Sequence, residues 1–328
     1  MTNTMTETAL EGDDALDART PRPVVGRHRV QYAALRATLG ALGRLGFRRA
    51  SDLGARIGAL GYWPLRIRRA VVERQISAAF PDWPLERVHE VARAAYENLG
   101  RTTIEAAVLP RYDRDTVLGL FDDPPNWDIV ERALARGRGL MLVAGHLGNW
   151  ELAGGYLAAR GLPLRAVARQ MENPLFDGYL ARTRRRIGIE PIYDGDAVRR
   201  VPRALRGNGV VAFLIDQGAV GLASTWVPFF GRLAKTPRGP AVFALRLEAP
   251  VIFAAPLRKP DGRFMLGLEE VPVRPTGDRT GDVDRIVADY TAVLERWVRR
   301  APEQYFWHHR RWKHQLPDTP RELGDPLR

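Results

Sequence analysis

At 328 residues the chain is long enough to bury a full core, as one large domain or as a domain with an appendage. With no cysteine, it can have no disulfide, cysteine nucleophile or thiolate zinc site. The formal net charge of +12 calls for an anionic partner: nucleic acid, an anionic membrane surface, a phosphorylated substrate or an acidic carrier protein. No RRM aromatic block, zinc-finger spacing or KH loop accompanies that charge, so no nucleic-acid partner is expected.

Residues 1–20 are polar and acidic. They lack the basic start and apolar centre of a signal peptide and read as a disordered tail ending near Pro21-Arg22-Pro23. Over residues 30–65, Leu35, Leu39, Leu42, Leu45, Leu53, Ile57 and Leu60 recur at roughly helical spacing, with Arg36, Arg44, Arg48, Arg49 and Arg56 between them. Glycines interrupt the pattern. Two readings stand: a basic amphipathic segment in a membrane interface, or a helical hairpin packed on the main domain. No stretch approaches 18 uncharged apolar residues, so no ordinary membrane-spanning helix is expected.

Helices are expected over 67–79 and 85–108, with a loop over 110–128 and a short helix over 129–136. A strand over 140–144 begins an alternation of strands and helices. Helices at 150–160, from Asn173-Pro174 and at 198–206 separate strands at 164–168, 189–193 and 210–215. The uncharged run 217–231 carries Gly, Ser, Thr and Pro and reads as a loop. A helix over 236–247 follows, then two strands, 251–257 and 264–270, joined by the turn Pro260-Asp261-Gly262. Val283, Ile286, Val287, Tyr290, Val293, Leu294, Trp297 and Val298 give an amphipathic helix with Asp282 as its expected cap. Residues 302–315 are basic and aromatic, either a solvated tail or an anchor at a membrane or rim. The resulting division is a tail at 1–28, a helical segment at 29–120, an α/β domain at 121–316 and a C-terminal tail at 317–328.

The chemistry centres on Gly139-Leu-Met-Leu-Val-Ala-Gly-His146-Leu-Gly-Asn-Trp-Glu151. A buried strand breaks at Gly145, presents His146, turns through Gly148 and Asn149 and enters a helix at Trp150. Open α/β sheets bind ligands at the carboxyl ends of their strands, where His146 falls. The spacing to Glu151 is too wide for a helical zinc pair, and no metal is expected. A base and its orienter fits better, with Glu151 holding the His146 imidazole and stabilising its cation. Arg169 follows the second strand, and Asp216 and Gln217 the fourth, so these groups should share one rim. Asp216 directly follows the apolar run 210–215, so it stands at that rim or is a buried charge. One or two of Arg182, Arg184, Arg185 and Arg186 could turn inward to hold a phosphate. Residues 226–231 read as core or as the wall of an apolar channel. There are only three serines and no G-x-S-x-G elbow, so a covalent acyl-enzyme is not expected. The base then activates a substrate hydroxyl, or water, directly.

Several blocks carry a resemblance. They are Phe80-Pro81; His146 to Glu151 as H-x4-D/E; Val167-Ala168-Arg169 followed by Asn173-Pro174 and Arg184; residues 209–217 with Asp216; residues 227–231 followed by Thr236-Pro237; and residues 302–313. In this order, from about residue 66 to 313, the sequence resembles the bacterial lipid A late acyltransferases. These are the lauroyl/myristoyl transferases of the lysophospholipid acyltransferase superfamily. The resemblance implies a glycerol-3-phosphate-acyltransferase-like α/β fold, with a mostly parallel central sheet flanked by helices and an N-terminal helical membrane-associating segment. It implies a peripheral or monotopic enzyme on the cytoplasmic face of the inner membrane. Its acyl donor would be acyl carrier protein or coenzyme A, and its acceptor a hydroxyl of a phosphorylated glycolipid, a lipid A precursor first. A lysophospholipid, a phosphatidylinositol mannoside or an ornithine lipid are the alternatives, as is a non-catalytic protein that binds the anionic membrane surface. His146 and Glu151 would be catalytic, Arg184 and Asp216 required, and no cofactor is implied. Asn149 and N–H groups near Gly148 are expected at the oxyanion, Arg169 and Arg184 at phosphates, and Asp216 and Gln217 in the substrate site. Two departures stand out: arginines break the region where relatives often carry a membrane-spanning helix, and Gln217-Gly218 replaces acidic or histidine-containing variants.

Overall fold

The computed structural model describes residues 23–42, 45–218 and 223–327. The expected tail over 1–28 lies outside these as far as residue 22. Helix α1 (Gly26–Leu42) begins just before that tail was expected to end, and α2 (Phe47–Tyr62), α3 (Arg69–Ala79) and α4 (Leu85–Val108) follow. The amphipathic stretch over 30–65 is thus two helices, and its glycines have a packing role. An added Cβ at Gly58 would fall 2.0 Å from the Tyr96 carbonyl oxygen, and one at Gly100 2.0 Å from that of Gly54. Glycine alone lets the α2 and α4 backbones touch. The expected loop after α4 holds a short helix, α5 (Arg114–Gly119), whose cap Asp113 accepts the Thr116 N–H at 2.8 Å. Helix α6 (Asp128–Ala135) then leads into the sheet.

Strand β1 (Leu140–Ala144) is buried on both faces, as its unbroken apolar run requires. It is followed by α7 (Trp150–Ala159), β2 (Leu164–Ala168), α8 (Pro174–Arg186), β3 (Glu190–Tyr193), α9 (Ala197–Arg206) and β4 (Val210–Leu214). The expected loop over 217–231 is corrected at its second half. Strands β5 (Ser224–Phe229) and β6 (Arg232–Pro237) form a separate antiparallel hairpin. Its two-residue turn uses positive φ at Phe230 (52°) and Gly231 (71°). Phenylalanine in the first turn position, where Asn or Gly is usual, hid the hairpin from a sequence reading. Helix α10 (Gly239–Leu247) therefore starts later than expected. Strands β7 (Val251–Arg258) and β8 (Phe264–Val271) close the sheet, and α11 (Arg279–Arg300) crosses it. The α11 cap is Asp278, which accepts the Thr280 and Gly281 N–H groups; the expected cap, Asp282, sits a turn further in, buried and bonded to Thr276.

The strand order is β3-β2-β4-β1-β7-β8, parallel except for edge strand β8. From β1 the chain leaves toward β2; from the adjacent β4 it leaves toward β7. The gap between β1 and β4 is thus the topological switch point, where such sheets bind ligands. Met141, Val143, Val211 and Phe253 face one core with α9, α10 and α11, and Leu140, Leu142, Val210 and Ile252 face the other with α6 and α7. Helix α4 contributes to both cores, so the N-terminal helices share apolar layers with the sheet. Residues 317–327 also pack back: Arg310 holds the buried Asp325, and Arg232 donates to the Gly324 carbonyl at 2.9 Å.

Candidate active site

The β1–β4 register builds the centre of the site. Ala144 lies opposite Leu214, so the residues two beyond each strand end, His146 and Asp216, emerge side by side. The His146 backbone N–H donates to Asp216 Oδ2 at 2.9 Å, and its ring Nδ1–H donates to Oδ1 at 2.7 Å. The carboxylate that fixes the imidazole is therefore Asp216, not the expected Glu151. Asp216 stands at the rim and is buried as well, 2 % exposed. Burial alone would raise its carboxyl, yet the His146 charge and the two hydrogen bonds hold it down at about 2, with Arg311 adding to the pull. Beneath it the buried Tyr305 phenol, bonded to Asp216, is pushed well above the ordinary range, first by burial and then by the carboxylate.

Glu151 has a different partner. Its carboxylate takes Arg184 Nη2 at 2.5 Å and Nε at 3.3 Å, so one arginine from α8 is turned inward, as the basic helix suggested. Burial opposes the Arg184 charge, but Glu151 outweighs it and raises the guanidinium. Arg169 lies exposed beyond β2, with no bonded partner among the described residues. Asn149 is corrected too. It is fully buried, its Oδ1 caps α7 through the Leu152 N–H, and its Nδ2 donates to Glu105 Oε2 at 2.7 Å, so the amide is held inside the fold and away from an oxyanion. The N–H groups of Gly148 and Asn149 are also committed, to the Gln304 and Pro256 carbonyls. Gly148 itself is obligatory: φ is +61°, and a Cβ there would lie 1.5 Å from the Pro256 oxygen. Gln217 does reach the centre, its Nε2 lying 3.3 Å from His146 Nε2. With Nδ1–H given to Asp216, Nε2 carries the lone pair and Gln217 is the donor.

An apolar crevice of about 100 Å³ opens beside these groups, under the ends of β1, β2 and β4 and against α7. Glu151, Arg184 and Trp150 stand in its lining with Leu157, Leu164 and Ile189. Trp150 meets the His146 ring edge-on at 4.8 Å, and Phe306 lies 5.9 Å away. Phe306 comes from the basic-aromatic run, which is neither a solvated tail nor a wholly exposed anchor. Its Phe306 N–H donates to the His146 carbonyl, and Trp307 and Trp312 are buried against Phe229 and Phe230. Phe229 and Phe230 are accordingly core, while Trp226 is half-buried. Tyr305, Phe306 and Arg311 belong to the site's surroundings, and the density of aromatics in that run was the signal for them. Glu105, which holds both Asn149 and Arg258 from the last turn of α4, gives no sequence signal.

Comparison with known proteins gives the family. The model of the bacterial lipid A biosynthesis acyltransferase family matches residues 27–314. The chain is 28 % identical over 264 residues to the lipid A biosynthesis palmitoleoyltransferase of Escherichia coli K12, covering 80 % of this chain and 84 % of the relative. It is 26 % identical over 263 residues to the lauroyltransferase of the same organism, with the same coverage. A phosphatidylinositol mannoside acyltransferase of Mycobacterium tuberculosis H37Rv is 30 % identical over 234 residues, 67 % of this chain and 70 % of the relative.

Proposed function

Because this chain belongs to the bacterial lipid A biosynthesis acyltransferase family and is an acyltransferase, we propose that it moves a fatty acyl chain from an acyl thioester of acyl carrier protein or coenzyme A to a hydroxyl of a phosphorylated glycolipid. A lipid A precursor is the acceptor the Escherichia coli relatives suggest. The observation that carries the chemistry is the His146 imidazole, its Nδ1 fixed by Asp216, its Nε2 met by the Gln217 amide, and its ring against Trp150 of the apolar crevice wall.

The acceptor hydroxyl displaces the Gln217 amide from His146 Nε2, which then takes the hydroxyl proton as the oxygen attacks the thioester carbonyl carbon. Asp216 stabilises the imidazolium and fixes the tautomer. The tetrahedral intermediate collapses with cleavage of the C–S bond, and the imidazolium returns its proton to the leaving thiolate. The products are an ester and a free thiol, with no enzyme nucleophile required. Gln217 replaces Asn149 as the amide donor nearest the reacting carbonyl; a well-placed donor there is worth roughly 3 kcal/mol. The acyl chain enters the apolar crevice. The Glu151–Arg184 pair at its mouth orients the thioester or acceptor head, and exposed Arg169 meets a phosphate. Since the acceptor is a lipid, the reaction takes place at a membrane surface, the inner membrane's cytoplasmic face. No described helix is long and apolar enough to cross a membrane. The Mycobacterium tuberculosis relative supports a second acceptor, a mannosylated phosphoinositide.

The test is transfer of radiolabelled acyl chains from both donors to a panel of acceptors: lipid A precursor, phosphatidylinositol mannoside, lysophospholipid and ornithine lipid. Product on the first is expected. Transfer by a His146→Ala protein near the parent rate would end the assignment.

A further inference from the structure

The densest group of exposed apolar side chains lies outside the site, at the end of α2 and in the loop that follows. Ile57 is 49 % exposed, Leu60 53 %, Trp63 56 %, Leu65 63 % and Ile67 55 %. Other exposed large apolar residues, such as Val198 and Met265, are scattered through the chain, as on any surface. Arg56, Arg66 and Arg68 alternate with the apolar group and are themselves exposed, and the Arg66 guanidinium lies 4.6 Å over the Trp63 ring. The loop is not slack. Leu65 N–H bonds the Leu60 carbonyl at 3.1 Å, Ile67 N–H bonds that of Gly61 at 2.9 Å, and the Tyr96 hydroxyl donates to the Ile67 carbonyl. These bonds hold Arg66 and Arg68 at φ of +51° and +57°, a region non-glycine residues seldom occupy. A fixed backbone thus keeps five greasy side chains in water.

We propose that this ridge is the surface on which the protein docks to a bilayer with anionic headgroups: the apolar side chains enter the interface and the three arginines meet lipid phosphates. Tryptophan and arginine beside Leu and Ile are the residue types that settle at that depth. The apolar seam that packs α2 on α4 is the glycine face; Ile57 and Leu60 lie on its flank, so docking leaves the fold intact. The ridge is also continuous with the site. Tyr96, which holds Ile67, packs on His308 at 4.2 Å; His308 stacks on Phe306 at 5.3 Å; and Phe306 stands beside His146. Docking there brings a membrane-embedded acceptor to the rim without its leaving the lipid. The inference deepens the lipid-acyltransferase reading and rests on it for its purpose, but not for its test.

The test uses the full chain and sedimentation with two vesicle types, phosphatidylethanolamine with phosphatidylglycerol and cardiolipin, and phosphatidylcholine alone. The parent protein should prefer the anionic vesicles. A Leu65→Ser/Ile67→Ser protein and an Arg66→Glu/Arg68→Glu protein should each bind them at least about tenfold more weakly. Val198→Ser, an equally exposed change elsewhere, should bind as the parent does. Unchanged melting temperatures confirm the fold, and quenching of a Trp63-dependent fluorescence component by brominated lipid confirms insertion. Parent-like binding by both ridge variants overturns the proposal. So does a ridge-dependent dimer in ultracentrifugation, or ridge-dependent capture of an acidic carrier protein without vesicle binding. Acyl transfer to a detergent-dispersed acceptor is measured in parallel. Its failure in the parent strikes the enzymatic reading, whereas parent-like vesicle binding by the ridge variants strikes only this one.

Discussion

Two charged couples stand on the same rim and are built differently. His146 and Asp216 come from adjacent parallel strands, and their contact follows from the β1–β4 register. Glu151 and Arg184 come from two helices that reach toward each other across the crevice mouth. The Asp216 side chain is 3 % exposed and Glu151 25 %. The difference teaches that closeness in sequence does not choose a base's partner. Gly148 turns the chain and Asn149 caps α7, which aims the first helical turn, with Glu151, at α8 rather than back at His146.

The comparison breaks most sharply at Asp216. Asp216→Asn preserves shape but removes the charge that fixes the tautomer and supports the imidazolium. Turnover should fall on the order of 10³-fold with KM little changed. Glu151→Gln, by contrast, leaves the base oriented and loosens only Arg184. A loss of about 30-fold, or about 2 kcal/mol, expressed largely in KM, is expected. Steady-state kinetics on both proteins decides it. If Glu151→Gln were the costlier change in turnover, Glu151 would regain the orienting role.

Acid separates the chemistry from the fold. His308 is buried, and burial first, then Arg68, pushes its ring down to about 4; His309 is likewise lowered to about 4, chiefly by burial. In the unfolded chain both titrate near 6.5, so the unfolded state takes up protons first as pH falls. Stability is therefore complete above about pH 6.5, declines between about 6.5 and 4, and loses no more from these groups below that. For His308 alone the loss approaches about 3 kcal/mol. Asp216, held at about 2, stays ionised across this window, so its own contribution is lost only under stronger acid. Denaturant midpoints from pH 7 to pH 4 measure the decline, and His308→Phe should flatten it.

Much of this could be read from residue types alone. Apolar runs such as 140–144 and 210–214 can only be central strands, and the convergence of His146 and Asp216 at one rim follows from parallel strands. The inward turn of Arg184 was legible as one member of a basic helix. Which carboxylate serves His146 was not legible, because strand order decides it, and nothing in the sequence says that β4 lies beside β1. The hairpin over 224–237 was hidden by Phe230 at a turn position that normally takes Asn or Gly. The glycines of α2 looked like interruptions until Gly100 was found against them. Glu105 was out of reach altogether, one of four glutamates on a long amphipathic helix.

Asn149 lies between the two couples and gives the smallest, most discriminating effect. As an oxyanion donor it would cost about 10²- to 10³-fold in turnover when removed. As observed, it caps α7 with one side-chain atom and meets Glu105 with the other. Asn149→Ala then loses a helix cap, about 1 kcal/mol. It does not strand the buried Glu105 charge, because Arg258 still holds both its oxygens at 2.6 Å. The melting temperature should fall by a few degrees, while turnover of the folded protein stays within about tenfold of the parent. A stable Asn149→Ala protein with turnover down several hundredfold would return the amide to the reacting centre and overturn the claim that Gln217 is the donor there.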